Sequence, residues 1–224
     1  MPKNKDVSAS TSIEDYLKAI WLVAQSGPAS TTQLADHLGI AAPSVSAMLV
    51  KLQEQGLISY EKYKGASLST QGLLQALHLL RRHRLIETFL LEHLGYNWGE
   101  VHDEAEHLEH AVSNTFTERL DAFLGHPSHD PHGDPIPNAD GHFPDTPNTP
   151  LAEVEVGQTL QVARLMSQAK DVLSYLGDLA ISPGQRLKVD KREPFGGLVH
   201  ISIAGKKEVV SKDLAMLIRG EVIA

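Results

Sequence analysis

Residues 101–110 read Val-His-Asp-Glu-Ala-Glu-His-Leu-Glu-His and decide how the rest of the chain is interpreted. On an α-helix, side chains three or four positions apart share one face. That spacing places two imidazoles and two carboxylates on one stripe: His102, Glu106, Glu109 and His110. Imidazole nitrogens and carboxylate oxygens together form a ligand set for divalent metal ions. The stretch therefore predicts a metal-binding helix.

A second stretch offers the same chemistry, because His83 and Glu87 lie four residues apart in another predicted helix. Either stretch alone has a simpler interpretation as a solvated charged face. Two such stripes on neighbouring helices, separated by apolar residues, favour a metal site over that alternative.

Composition limits the class of protein. The chain has 224 residues, of which 42% are hydrophobic, enough for a packed core in one or two domains. No apolar run is long enough for a membrane span, and the lysine-containing N-terminus is not followed by the apolar run of a signal peptide. Cysteine is absent, which excludes disulfides and thiolate metal sites. A cytoplasmic protein is expected.

The net charge of −8 argues against nucleic-acid binding until its distribution is considered. Residues 1–75 are neutral, whereas residues 76–126 carry nine acidic side chains against four arginines. Ten of the twelve histidines lie between His78 and His142. The acidic excess is therefore concentrated where a bound cation would offset it.

The N-terminal third has the pattern of a winged helix-turn-helix. Helical periodicity runs from Ser12 to about Gln25, a second helix is capped near Ser30, and a third opens at Ala42. Two short β-stretches, 57–60 and 66–69, then flank a basic turn. The order predicts that the third helix enters the DNA major groove.

The DNA-binding candidates are small, hydroxylated or cationic side chains on the exposed side of this module. They are Thr32, Ala42, Pro43, Ser44, Ser46, Lys51, Lys62 and Lys64. For any single one, ordinary surface is an equally good interpretation. Since no Arg, Asn or Gln lies on the exposed start of the third helix, DNA shape and phosphate geometry are expected to dominate specificity.

The remaining chain divides by composition. Apolar periodicity predicts helices after Thr70 that carry more apolar surface than a winged domain needs, which indicates a dimer interface. The segment 127–150 is rich in Pro, Gly, Asp and His. Four histidines lie in this segment or just before it: His126, His129, His132 and His142. They could bind a metal ion weakly, but the composition favours a mobile linker over a metal site. Short strands with close turns from Leu151 predict a small β-barrel.

Together these features resemble the diphtheria-toxin-repressor and manganese-transport-regulator family of metal-dependent transcriptional repressors. The resemblance rests on residues 14–17, the winged helix, Arg82-His83-Arg84-Leu85 and above all the 101–110 stretch. It implies a mainly α chain with small β parts. The expected domains are a DNA-binding domain (1–72), a helical dimerisation and metal-binding domain (73–126), a linker (127–150) and a barrel of the Src-homology-3 type (151–224).

The resemblance also implies two metal sites. The first would use Asp15, Glu106, Glu109 and His110, and the second His83, Glu87 and His102. Iron-type members have Met and Cys where Asp15 and Glu106 stand here, whereas manganese-type members have Asp and Glu. Because carboxylates suit harder ions than thiolates do, Mn(II) is the expected cofactor and Fe(II) the next candidate.

Three departures from the family pattern affect these expectations. Lys18 stands where manganese-type members have a second acid, so a close pair of metal ions is not expected. Ala47 replaces the base-reading Gln of the iron-type recognition helix. Where the barrel of iron-type members supplies a Glu and a Gln to the second site, a loose alignment places Arg164 and Ser167. Two further polar residues, Gln168 and Asp171, are close by.

The expected function is control of metal-uptake genes by a homodimer that binds operator DNA when loaded with metal, with no membrane partner and no organic substrate. A metal-dependent hydrolase is a weaker alternative, because the His-Glu-x-x-His pattern is absent and no general base is evident. A third alternative is a metal-independent winged regulator that senses an organic ligand. DNA binding indifferent to chelator would identify it.

Overall fold

The computed structural model describes residues 5–167 and 169–223, with side chains described from residue 13 onward. The chain forms two compact units. The first comprises the residues up to Arg82 together with Pro137–His142, and the second comprises His83–Ile136 and Phe143–Ala224.

The first unit contains the winged helix-turn-helix. Its elements are α1 (Lys5–Val23), a 3₁₀ turn (Ala24–Ser26), α2 (Thr31–Leu38), α3 (Ala42–Glu54), β1 (Ile58–Glu61) and β2 (Gly65–Leu68). The Ser30 side chain accepts from the Gln33 amide, and the Gln33 side chain accepts from the Ser30 amide, so both ends of a capping box are present. Helix α1 begins at Lys5 and not at the predicted Ser12, because neither Gly nor Pro interrupts the intervening residues.

The apolar stripes predicted for these helices form one core. Leu17 and Ile20 of α1, Leu34 of α2, and Leu49 and Leu52 of α3 are fully buried together. Burying these stripes turns the polar side of α3 outward. Strands β1 and β2 pair antiparallel with Ile58 opposite Leu68, which confirms the predicted wing.

Helix α4 (Thr70–Leu94) leads into the second unit, where α5 (Val101–Glu109) and α6 (Asn114–Phe123) follow. Ser113 is the N-cap of α6, since its hydroxyl accepts from the Phe116 amide at 3.2 Å. Buried side chains of all three helices form a second core, so one face of α5 is fixed against α4.

The C-terminal part of the second unit is a six-stranded antiparallel sheet, which confirms the predicted small barrel. Its elements are β3 (Thr149–Pro150), β4 (Thr159–Leu165), α7 (Lys170–Asp178), β5 (Arg186–Arg192), β6 (Val199–Ile203), β7 (Lys206–Val210), α8 (Lys212–Leu217) and β8 (Ile218–Ile223). The strand order is β3-β8-β4-β5-β6-β7.

The last strand, β8, was not expected from the sequence pattern. Gly220 allows the close pairing of β8 with β4, because a Cβ there would lie 2.0 Å from the Gln161 carbonyl oxygen. Within the described part of the chain, no helix combines the length and apolarity needed to cross a lipid bilayer.

Candidate metal centre

Two helices of the second unit bring three predicted ligands together. His83 and Glu87 lie one turn apart on α4, and His102 lies at the start of α5. The His83 Nε2 atom is 3.0 Å from Glu87 Oε1, and the His102 Nδ1 atom is 3.1 Å from the same oxygen. One donor atom from each residue lies within 4.8 Å of the others, a spacing that could accommodate a single ion.

His83 also contacts a ligand predicted for the other site. Its Nδ1 atom lies 2.7 Å from Glu109 Oε2, and Glu109 is only 1% exposed. Both ring nitrogens of His83 thus face carboxylate oxygens, and in its protonated form the imidazolium would link Glu87 to Glu109. His110 lies next to Glu109, with its Nε2 atom 3.5 Å from Glu109 Oε1.

The other two residues of the predicted first site are placed differently. The Glu106 side chain is 54% exposed, and its Oε1 atom lies 3.8 Å from His102 Nε2. Asp15 belongs to α1 of the first unit and is half-buried. Of the predicted first-site residues in the second unit, the structure therefore brings Glu109 and His110 together and turns Glu106 towards solvent.

A second donor group combines His132, which the sequence marked only as a weak metal-binding candidate, with Asp130, which sequence reasoning missed. Asp130 and His132 lie in the segment between α6 and β3, and both are buried beside Glu87. One donor atom from each of the three residues lies within 4.8 Å of the others. Glu87 is therefore shared by two groups of ligand-type side chains, one helical and one in a loop. We refer to these five residues as the buried cluster: His83, Glu87, His102, Asp130 and His132.

A tight turn holds the loop side of the buried cluster in place. The Asp130 Oδ1 atom accepts from the His132 and Asp134 amides, both at 2.9 Å. Gly133 adopts a left-handed φ of 85°, and the Leu165 amide of β4 donates to the His132 carbonyl at 2.9 Å. The turn thus fixes where Asp130 and His132 point before any ligand is considered.

The donor atoms of this loop fit a divalent cation. Asp130 Oδ2 and both ring nitrogens of His132 are buried without a hydrogen-bond partner. His132 is fully buried, with its ring edge-on to Trp98 at 5.1 Å between centroids. Leaving such atoms unpaired costs roughly 1–3 kcal/mol each. A metal ion coordinated by one His132 nitrogen and by Asp130 Oδ2 would remove most of that cost.

The pKa shifts in the buried cluster differ from one residue to the next. Burial raises the pKa of Glu87, but the charge of His83 and hydrogen bonds from His102 and His83 outweigh it, so the net pKa is lowered. Burial, followed by the negative charges of Asp134 and Glu87, raises the pKa of Asp130. Burial lowers the pKa of His132, which favours the neutral imidazole that metal ions bind.

This loop, for which a mobile linker was favoured, makes several contacts within the described residues. The His132 turn is buried, the Ile136 amide donates to the Ser128 carbonyl at 2.9 Å, and His129 Nε2 lies 2.8 Å from the Thr146 hydroxyl. His126 pairs instead with Asp121 at 2.6 Å, and His142 is exposed, so neither belongs to the buried cluster. The sequence signal that could have indicated order is Asp130-Pro-His-Gly-Asp134, an Asx-turn composition.

The barrel residues that a loose alignment places near the family's ligand positions make other contacts. Arg164 pairs with Asp134, and the Ser167 hydroxyl accepts from the Ala169 amide at 3.2 Å. Gln168 lies outside the described residues. Asp171 is exposed, and its carboxylate accepts from the Val172 amide at 2.9 Å. Within the described part of the chain, Asp171 belongs to none of the groups of side chains that could hold a metal ion.

Comparison with known proteins matches most of the chain. Residues 8–66 match the iron-dependent repressor N-terminal DNA-binding domain, residues 69–138 match the iron-dependent repressor metal-binding and dimerisation domain, and residues 149–222 match the FeoA domain. A manganese-dependent transcriptional repressor solved in complex with manganese is 41% identical, with a TM-score of 0.85 over 94% of this chain and 100% of that chain.

The chain belongs to the diphtheria-toxin-repressor family. It is therefore a metal-dependent transcriptional repressor that binds DNA through its winged helix, as the sequence predicts, and not an enzyme.

Relatives within the family are described with different metals. The iron-dependent repressor IdeR of Mycobacterium leprae is 26% identical over 94% of this chain and 96% of its own length. The structure of ScaR with bound Zn²⁺ is 32% identical, with a TM-score of 0.78 over 94% of this chain and 99% of that chain. Membership alone therefore establishes metal dependence and leaves the choice of ion to the ligand chemistry.

The DNA-facing candidates of this repressor lie on one module. Thr32 of α2, Ala42, Pro43 and Ser44 at the start of α3, Lys51 later in α3, and Lys62 and Lys64 in the wing turn are exposed. Ser46 is half-buried, and its hydroxyl donates to the Ala42 carbonyl at 3.1 Å, so its hydrogen is already used within the helix. Ser46 can still accept from a donor on DNA.

The helices of the dimerisation domain expose several large apolar side chains. Phe123 is 63% exposed and contacts Phe89 and His93 edge-on, while Phe116 and Leu94 are also exposed. Exposed aromatic side chains on neighbouring helices are typical of a surface that a second subunit covers. This agrees with the dimerisation role of the matched family domain.

Proposed function

We propose that Mn(II) activates this repressor, which then binds operator DNA as a homodimer and controls metal-uptake genes. The observation that carries the proposal is the buried cluster, in which every candidate donor is an imidazole nitrogen or a carboxylate oxygen. No thiolate is available, because the chain has no cysteine. Such a donor set suits Mn(II), and Fe(II) is the second candidate because imidazole and carboxylate also bind it.

We assign the ligands to two sites. The first combines Asp15 with Glu106, Glu109 and His110, as the family resemblance implies. The second is the buried cluster, which adds Asp130 and His132 to the predicted set of His83, Glu87 and His102. Contact between His83 and Glu109 connects the two sets, so ion binding at one will affect the protonation and position of the other.

The chain's own residues explain why metal dependence follows. Without a cation, Glu87 and Asp130 are two buried carboxylates whose negative charges disfavour each other. A bound divalent cation supplies the positive charge that offsets this repulsion.

In a two-fold dimer the two α3 helices must lie about one DNA turn apart, ~34 Å, to occupy successive major grooves. A preference for that arrangement of about 1.4 kcal/mol changes operator affinity about tenfold.

The proposal is tested by gel mobility shift on DNA from upstream of the repressor's own gene, with Mn(II), Fe(II), Zn(II) or a chelator. We expect Mn(II) to give the strongest retardation, chelator to abolish it, and higher salt to weaken it. Retardation that persists in chelator would overturn the proposal in favour of a metal-independent regulator.

The first site is tested by Glu106→Ala, with Asp103→Ala as the control because Asp103 is an exposed carboxylate on the same helix. We expect Glu106→Ala to lose Mn(II)-dependent retardation while remaining dimeric by light scattering, and Asp103→Ala to behave as the natural protein does. If Glu106→Ala retains full Mn(II)-dependent retardation, Glu106 is not a ligand of the first site.

A further inference from the structure

The buried cluster is connected to the barrel by one carboxylate, that of Asp134. Its Oδ2 atom accepts from Arg84 on α4 at 3.4 Å, and its Oδ1 atom accepts from Arg164 Nε on β4. Asp134 and Arg84 are both buried. A single side chain in the turn therefore joins the helix that carries Glu87 to a barrel strand.

Arg84 has a second possible partner in the buried cluster. Its Nε atom lies 3.7 Å from Asp130 Oδ2, the oxygen that has no hydrogen-bond partner. Arg84 also donates to the Pro135 carbonyl. The guanidinium is thus placed between two carboxylates, 3.4 Å from Asp134 Oδ2 and 3.7 Å from Asp130 Oδ2. Losing the Asp134 contact would leave Asp130 as its nearest carboxylate partner. If Arg84 moved onto Asp130 Oδ2, it would compete with a metal ion for that oxygen.

Two backbone features of strand β4 allow Arg164 to reach Asp134. The pairing of β4 with β8 shifts register between Val162 and Arg164, a bulge of the kind that redirects a side chain. Beside it, Gly133 lies so close to β4 that a Cβ would approach the Ala163 carbonyl oxygen to 1.9 Å. The turn and the strand therefore meet without intervening side chains, and Arg164 can reach Asp134.

We propose that Asp134 is a positioning residue that couples metal occupancy of the buried cluster to the attachment of barrel strand β4. This inference rests on the proposed function, since it takes the buried cluster to be a Mn(II) site. Asp134 holds Arg84 away from Asp130, and Arg164 holds Asp134 in place. Because coupling is reciprocal, Mn(II) binding also strengthens the attachment of β4.

The experiment titrates Mn(II) itself into the full chain by calorimetry. Groups that orient metal ligands typically change affinity by about 10–100-fold, and we expect a loss in that range for Asp134→Ala. Adding Arg84→Met to that variant should recover most of the affinity, because the competing guanidinium is gone. A merely structural role for Asp134 would not produce that recovery. Natural affinity in Asp134→Ala, or no recovery in the double variant, would overturn the proposal.

Arg164→Gln provides a second test should Asp134→Ala fail to fold, because the Arg164 side chain is 24% exposed and only its tie to Asp134 is removed. We expect a loss of about three- to tenfold, partly restored by Arg164→Lys, with exposed Arg186→Gln on β5 as the control. In the natural protein, Mn(II) should slow hydrogen exchange of the amides of residues 159–165, and in Arg164→Gln it should not. Equal slowing in both proteins would overturn the coupling.

Failure of the proposed function gives a different result. His132→Ala removes a cluster donor without touching Asp134, Arg84 or Arg164. If His132→Ala binds Mn(II) as the natural protein does, the buried cluster is not a Mn(II) site, and the coupling proposal falls with it. If His132→Ala loses Mn(II) while Asp134→Ala and Arg164→Gln retain natural affinity, the cluster assignment stands and only the coupling is wrong.

Discussion

The two halves of the buried cluster differ in how they are built. The helical half places His83, Glu87 and His102 by regular spacing on α4 and α5. The loop half places Asp130 and His132 by a turn whose amides bind Asp130 itself. In the helical half, the ligand-type side chains already contact one another, whereas in the loop half three polar atoms have no hydrogen-bond partner.

This difference indicates that the two halves contribute differently to metal binding. The helical half is satisfied without metal, because His83 can link Glu87 to Glu109 as an imidazolium. In the loop half, Asp130 Oδ2 and the two ring nitrogens of His132 have no hydrogen-bond partner, and a bound cation would reduce the cost of burying them. We therefore expect the loop half to contribute much of the driving force for metal binding and the helical half to contribute much of the geometry.

The largest effect is expected for Glu87→Gln, since both halves share this carboxylate. We expect Mn(II) affinity by calorimetry to fall by about 100-fold or more, ~3 kcal/mol, because the charge common to both donor groups is lost. Glu92→Gln, an exposed carboxylate farther along α4, is the control. An affinity within about threefold of the natural protein would show that the halves do not form one site.

A direct comparison of the halves comes from His132→Ala and His83→Ala. We expect each to weaken Mn(II) binding by roughly 30-fold, ~2 kcal/mol. In thermal melts without metal, we expect His132→Ala to be the less destabilised of the two, because it removes unpaired polar atoms while His83→Ala breaks two contacts with carboxylates. The reverse order of metal-free stability would contradict this difference between the halves.

The geometry of the loop half is tested by Gly133→Ala. The left-handed φ of 85° and the Ala163 carbonyl in the position of a Cβ both oppose a side chain there. We expect a loss of unfolding free energy greater than the about 1–2 kcal/mol that a left-handed φ alone costs, and weaker Mn(II) binding. Gly184→Ala is the matched control, because its φ of 88° is similar but no atom lies within 4 Å of its Cβ. Equal metal affinity in the two variants would show that the turn does not position the donors.

The smallest effect concerns the DNA-binding module, which contributes no residue to either half. Lys62→Ala, in the wing turn, should weaken operator binding only a few-fold and reduce the slope of log affinity against log salt by about 0.9, as expected for one lost phosphate contact. Its Mn(II) affinity should not change. Lys206→Ala, an exposed lysine of the barrel, is the control. An unchanged salt slope for Lys62→Ala would remove Lys62 from the DNA-facing set.

Regular elements could be predicted from the sequence because their signals are local. The apolar stripe of Leu49 and Leu52, the cap at Ser30 and the wing turn each lie within a few residues. Strand β8 was missed because its place depends on pairing with β4, about sixty residues earlier, through the glycine contact at Gly220. Local periodicity carries no information about such a long-range pairing.

The difference between local signals and long-range contacts also explains which metal-site residues could be predicted from the sequence. His83, Glu87 and His102 were predictable because helical spacing and family resemblance both indicate them. Asp130 and His132 could not be assigned, since a segment rich in Pro, Gly and His has the composition of a mobile linker. What makes this one ordered is tertiary: the tie from Leu165 to His132 and the Asp134 contacts with Arg84 and Arg164.

The turn at Asp130 has a consequence for the choice of ion. Since one carboxylate oxygen is committed to two backbone amides, Asp130 can offer a cation only the other oxygen. Calcium needs about six to eight oxygen ligands, often from carboxylates that bind through both oxygens. A one-oxygen aspartate beside imidazoles cannot supply that coordination, so calcium in large excess should leave Mn(II) bound in a competition titration. If the buried cluster is the Mn(II) site, this backbone turn disfavours calcium there.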